Sequence, residues 1–221
     1  MNIFTKYLLP LLAVLPLMAC HSTNKTKSNT KLDNKSFIKN FELVQENNSN
    51  DTRIRITSPK AIIDPKSNDI EIFDSSIEIL NKNTVEIKVI SGNSTLNNLS
   101  NTIRVFNNAN ISFLNNEDYF IRTNSFNWDL NTSIIDIENP LNINFNNTNI
   151  IASNGFFNID LNLLKIYNSR FNRSVFNSDG KEQYQIKINS DFAKWLKNEN
   201  TLFFLSNKKQ VETTIKFLNI K

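Results

Sequence analysis

The sequence predicts an all-β chain, a long open sandwich or roll of short antiparallel strands with a different module at its C-terminal end. Three observations predict it. From Thr52 onward, apolar residues fall at alternate positions in TRIRIT, DIEIF, SIEIL, TVEIKVI, TIRVF, NISFL, IIDIE and LNINF. That is the period of half-buried strands with one wet face. Asn, Asp, Ser and Pro cluster between these runs, where turns need them. Finally, segments opening at Ile56, Val89, Ile121 and Ile150 share one plan at a spacing of about 29 to 33 residues, the mark of stacked modules with a continuous core. Each opens with a strand ending in small or turn-forming residues. A stretch with Asp or Asn follows, then an I-x-[IV]-like strand, a turn and a last strand.

In chain order, residues 1–19 read as a secretory signal: a lone Lys6, then an apolar run ending LPLMAC. Tyr7 to Cys20 spans about 14 residues, or roughly 21 Å of helix, too short for a bilayer core of about 30 Å. Pro10 and Pro16 interrupt even that run. Leu17-Met18-Ala19-Cys20 resembles a bacterial lipobox, with Met18 where a small residue is usual, so Cys20 is the expected lipid anchor of an exported protein. Residues 20–50 read as a polar, lysine-bearing tether in which FIKNFELV (37–44) has the makings of a short strand or helical turn. Residues 51–180 hold the alternating strands. Residues 181–221 read as an extension, in which SDFAKWLKNEN offers Ser190 as N-cap before Phe192, Trp195 and Leu196 at helical spacing. TLFFLS and VETTIKFLNI then read as a hairpin.

Composition excludes more than it assigns. The only histidine is His21 and the only cysteine Cys20, so no Ser-His-Asp or Cys-His catalytic set can be assembled. Three glycines leave no phosphate-cradling loop, and no His/Cys metal cluster exists. The expectation is a chain that is not an enzyme and has no cofactor. Acidic residues such as Asp129, Asp136 and Glu138 fall on the wet face of strands. The net charge of +4 comes from the two ends, while residues 101–180 carry 5 basic and 7 acidic side chains, so no basic nucleic-acid face is expected. Asparagine, about 40 residues, far exceeds ordinary usage and reads as codon bias.

The segments TSPKAIIDP, TNSFNWDL and IIASNGFFNIDL resemble, in order and spacing, motifs of the LptC-type periplasmic lipopolysaccharide-export proteins. The matching residues are Thr57, Ser58, Pro59, Lys60 and Ala61; Thr123, Phe126 and Trp128; and Ala152, Asn154, Gly155 and Phe156. The resemblance covers about Thr52 to Phe176. It implies an elongated, twisted β-jellyroll (OstA/LptC-like), open along one side, whose interior shields the acyl chains of lipopolysaccharide. One end would dock on an inner-membrane ABC transporter, and the other would pass lipid to the next periplasmic jellyroll by strand addition. It also implies a periplasmic protein anchored to a membrane, here the inner one. The chain departs from the family in its lipobox, where members keep an uncleaved helix, and in the extension after about Gly180.

On alternation, the inward face includes Ile72, Val105, Phe113, Phe126, Trp128, Ile137, Ile143, Phe145 and Ile166, which become the expected acyl-chain lining. Open sheet edges offer unpaired N–H and C=O groups to a partner. The expected edges are the TRIRIT strand, with Arg53, Ile54, Arg55 and Ile56, and at the far end either the strands near Phe171 to Phe176 or the hairpin to Lys221. Gly155 is expected at a bend or close backbone approach, or at a partner contact. Two alternatives remain open: a β-sandwich lipoprotein for another amphiphile or a glycan, and a structural repeat module with a closed core.

Overall fold

The computed structural model describes residues 35–47, 52–114, 119–199, 201–207 and 211–218. The expected signal peptide, Cys20 and most of the tether lie outside them. The described residues form sixteen strands of one antiparallel sheet. They are β1 (Ser36–Asn47), β2 (Thr52–Asp64), β3 (Asp69–Asn81), β4 (Thr84–Asn97), β5 (Thr102–Phe106), β6 (Ala109–Phe113), β7 (Tyr119–Thr123) and β8 (Phe126–Asp129). There follow β9 (Ile134–Ile137), β10 (Leu141–Phe145), β11 (Thr148–Ala152), β12 (Asn154–Asn158), β13 (Leu163–Phe176), β14 (Glu182–Leu196), β15 (Thr201–Leu205) and β16 (Glu212–Phe217).

The sheet folds over on itself along a crease. One half of β4 pairs with β5 and the other with β6. From there one layer runs β5-β8-β9-β12 and the other β6-β7-β10-β11, and both meet again on the two halves of β13. Each long strand therefore serves both layers, and must turn its inward face through the crease. The burial pattern shows how. On β3, Ile70 and Ile72 are buried on even positions, and Ser75, Ile77 and Ile79 on odd ones. Asp74, between them, has a φ of 50° and is left out of the pairing with β4, as is Gly92 opposite it. On β13 the switch from Leu164 and Ile166 to Ser169 and Phe171 occurs across Asn168, also at φ 50°. A single left-handed residue on each of these strands shifts the alternation by one and keeps the same face inward on both sides of the crease.

Asparagine has a structural role here beyond codon bias. Among the described residues, nine of the twelve non-glycine positions with positive φ are Asn, including Asn40, Asn107, Asn108 and Asn168. A short polar side chain tolerates the left-handed region better than other non-glycine residues. In a chain with three glycines, asparagine supplies the creases and tight turns.

The sequence repeat corresponds to one circuit of the fold: down through one layer, across the crease, and back. In each circuit a hydroxyl at the end of the first strand bonds the returning strand. Ser58 donates to the carbonyl of Phe73, Thr123 to that of Pro140 at 3.1 Å, and Ser153 to that of Tyr167 at 3.1 Å. Ser91 shares a buried hydroxyl cluster with Ser75 at 2.8 Å. The small residues in the three family-like segments thus stitch the crease.

Two expectations for the C-terminal part are corrected. SDFAKWLKNEN is not a helix: β14 continues to Leu196 and only a short 3-10 turn, Lys197–Glu199, follows. Ala193 and Trp195 point inward at period two, and this stretch is paired on both sides, to β13 and β15. Ladder bonds and burial on both flanks override the helical spacing. The hairpin is also not formed between β15 and β16. Each pairs instead with its own half of β14, β15 with Phe192–Leu196 and β16 with Tyr184–Asn189. Because β14 pairs with β13 from Leu163↔Leu196 to Phe176↔Glu182, the chain after residue 180 continues the same sheet. At the other end FIKNFELV lies within strand β1, paired to β2.

Candidate functional site

The site is the space between the layers and the mouth opposite the crease. At that mouth the turns stay within their own layer: Leu130 N–H bonds Asn101, Ile159 bonds Ser133 and Lys197 bonds Asn162 in one layer. Leu114 bonds Glu86 and Ser174 bonds Asn147 in the other. The contacts that span the mouth are made by side chains. Gln45 Nε2 donates to Asn101 Oδ1 at 3.3 Å. Phe113 of β6 meets Phe157 of β12 edge-on, with centroids 5.2 Å apart. Trp195 of β14 lies 4.8 Å from Tyr119 and stacks on Phe145 at 5.7 Å. Phe171 of β13 meets Phe204 of β15 at 5.2 Å.

Two hollows flank the Phe113–Phe157 contact. The first, of about 330 Å³, lies between β1–β3 of one layer and β8 with its neighbouring turns in the other, with Ile54, Ile79, Trp128, Leu130 and Ile159 on its walls. The second, of about 300 Å³, is bounded by Tyr119, Phe145 and Phe171 on one layer and Trp195, Leu202 and Phe204 on the other. Each falls at the small end of the range for small-molecule pockets. Trp128 is buried at 2% exposure, and its indole N–H has no acceptor. A larger hollow of about 540 Å³ on the crease side is lined by Ser153, Asn168, Ser169 and Ser190 together with Pro140, Ile151 and Ala152.

Opening the mouth would cost little compared with breaking the sheet. An aromatic pair contributes about 0.5–1.5 kcal/mol beyond burial, so the four aromatic contacts across the mouth total roughly 2–6 kcal/mol. An acyl chain leaving water gains about 0.8 kcal/mol per methylene, so about ten methylenes outweigh them. No backbone ladder need be broken.

Of the nine residues expected inside, Ile72, Val105, Phe113, Phe126, Trp128, Ile137, Ile143 and Ile166 are buried, and Phe145 is half-buried against the same core. Of these, Trp128 borders the first of the two smaller hollows and Phe145 the second. The others pack against one another. Sequence reading missed Tyr119, Phe157, Lys197, Leu202 and Phe204. Their common signal was an apolar or amphipathic residue at a strand's turn end, where a roll has its mouth.

The expected edge residues are placed differently. Arg53, Ile54, Arg55 and Ile56 lie on β2, which is paired to both β1 and β3. Phe171 is on β13, between β11 and β14. Gly155 is on β12, between β9 and β13. None therefore lies on an open edge. The end strands are β1 at one end of the sheet, and β15 and β16 at the other. Gly155 instead serves close approach: a Cβ there would meet Lys165 O at 2.6 Å and Ile166 Cγ2 at 2.9 Å.

On the outer face, Glu78 bridges Arg55 and Lys88 in register across three strands. The hydrogen bond from Arg55 holds its carboxyl below the ordinary glutamate range. Among the described residues no cluster of three His, Cys, Asp or Glu side chains is placed to hold a metal, and no helix is long and apolar enough to cross a membrane.

No curated protein matches the chain. The profile of the LptC-related lipopolysaccharide-assembly family matches residues 8–170, well over half of its length. The three crease motifs and strands β1 to β12 lie within that span, and the chain belongs to the LptC-related lipopolysaccharide-assembly family.

Proposed function

We propose that this protein is a non-enzymatic component of a lipopolysaccharide-export bridge, taking acyl chains between its two layers and passing the lipid on toward the outer membrane. The observation that carries this reading is a mouth closed, among the described residues, by side chains over two hollows that pair apolar walls with a polar rim. Lipid would come from an inner-membrane ABC transporter and leave to a neighbouring periplasmic jellyroll. Docking would use the end strands β1, β15 and β16, by strand addition. Phe37 and Val44 on β1 and Ile215 and Phe217 on β16 are more than 40% exposed, which suits a partner's cover. Lipidation of Cys20 would hold the protein at the membrane, the inner one in this scheme. Ile72, Val105, Phe113, Phe126, Ile137, Ile143 and Ile166 would become lining once the layers part, and Trp128 and Phe145 already border the hollows. The unpaired Trp128 N–H would find an acceptor in a ligand's ester or amide carbonyl.

The tight packing of those same seven residues favours a second reading, a structural module with a permanently closed core. Titration of the purified protein with lipopolysaccharide separates the two. Trp128 and Trp195, the chain's only tryptophans, sit one in each hollow. The conduit reading expects a saturable change in their fluorescence; none in a folded protein supports the closed core. Co-purification with the inner-membrane transporter tests the bridge role separately.

A further inference from the structure

The second hollow depends on chain that the family match does not reach. Trp195, Leu202 and Phe204 form its wall in one layer, all of them beyond residue 170. Two positions after Trp195, on the short 3-10 turn that follows β14, stands Lys197. Its Nζ lies 4.7 Å from the centroid of the Phe113 ring, on the opposite layer. The ammonium is about half buried, and burial pushes its pKa below the ordinary lysine value, with Glu86 opposing. Yet among the described residues it makes no ion pair within 4 Å. Glu86, the acid that acts on it, accepts instead from Asn81 Nδ2 at 3.1 Å. A half-buried cation resting on an aromatic face, two residues along the chain from the Trp195 wall of a hollow, is a poor structural element. A cation–π contact contributes about 0.5–2 kcal/mol, against the desolvation of a charge with no partner.

We propose that Lys197 is the headgroup site of the second hollow: it closes the mouth over Phe113 when the hollow is empty, and swings to the phosphate of an anionic amphiphile whose chain lies against Trp195. This rests on the conduit reading and adds to it a ligand class and a residue. The exposed Arg173, which borders the same hollow from the other layer, is a second cation available to the headgroup. A ligand phosphate would supply the charge-assisted bond that the protein leaves unmade.

The test uses two single-chain probes, dodecyl phosphate and the neutral dodecyl maltoside, titrated below their micelle concentrations and read by tryptophan fluorescence. A single charge-assisted bond predicts that the wild type prefers the phosphate by about tenfold. Lys197→Met keeps the stem on Phe113 and removes the charge. Its affinity for the maltoside should be unchanged and its preference for phosphate should fall within about twofold, the range left when that bond is absent. Lys197→Arg should restore most of it. Urea unfolding of both variants verifies the fold, and Lys197→Gln substitutes if the methionine variant is unfolded. A Lys197→Met protein that keeps the full preference overturns the proposal, as does a wild type that binds both probes equally. If the wild type binds neither, the conduit reading falls and this one with it.

Discussion

Phe157→Ala is the sharpest test of how the two layers hold together. The side chain is 2% exposed and meets Phe113 edge-on across the mouth, at an interplanar angle of 84°. Truncating a buried phenylalanine costs about 3–5 kcal/mol, through lost transfer energy and the cavity left behind. Of that, about 0.5–1.5 kcal/mol belongs to the aromatic pair itself. Against a total stability of about 5–15 kcal/mol for a domain, the loss is large and measurable. Urea unfolding followed by tryptophan fluorescence gives the total. A cycle with Phe113→Ala and the double variant isolates the pair, since the two residues touch and should not be additive. A total loss below about 1 kcal/mol, outside the range for a buried ring, or a coupling of zero, would refute the account of the mouth. The same variant should bind amphiphile more readily, because the barrier between the hollows is gone.

Other outcomes follow from the same geometry. Gly155→Ala places a methyl 2.6 Å from Lys165 O, backbone that cannot swing aside. It should cost about 1–3 kcal/mol in urea unfolding, as overpacking does, whereas a neutral result would mean that β12 and β13 separate freely. Glu78→Gln tests the outer charge ladder. Because the folded carboxyl titrates below its unfolded value, its stabilisation is present at neutral pH. That contribution is lost as pH falls below about 4.3, the ordinary glutamate value, and through the lower folded one. The wild-type advantage over the glutamine variant should therefore shrink on acidification in thermal melts, and an advantage that grows in acid would contradict the assignment.

Much of the fold was legible in local sequence. Alternation in TVEIKVI and TIRVF marked strands and their inward faces, because burial on one side of a sheet selects every second residue. The repeat was legible because each circuit needs a hydroxyl at its crease, as at Ser58, Thr123 and Ser153. The crease itself was not, since the left-handed residue that turns a strand's face is a single Asn or Asp among many. Asn168 and Asp74 carry no label beyond their φ angles. Segment 190–200 was misread because Phe192, Trp195 and Leu196 satisfy helical spacing, while the decisive facts, the ladders to β13 and β15, are non-local. The near edge was misplaced for a like reason, while the far-end alternative, the stretch to Lys221, does hold the end strands β15 and β16. TRIRIT has the composition of an edge strand, and only the pairing of Ser36–Asn47 to β2 removes it from that position. The interior lining was found by alternation. The mouth was not, because Tyr119, Phe157 and Lys197 meet their partners only across the fold.

The most direct test of a lipid path between the layers is photocrosslinking in cells. A photoreactive residue would be placed at Phe113, Phe126 or Ile143, all buried, and at Arg122 and Asn127 as exposed controls on strands β7 and β8. Adducts with lipopolysaccharide at the buried positions, and none at the controls, are the predicted result. A folded, exported protein that gives no adducts, or gives them equally at Arg122 and Asn127, would contradict the conduit.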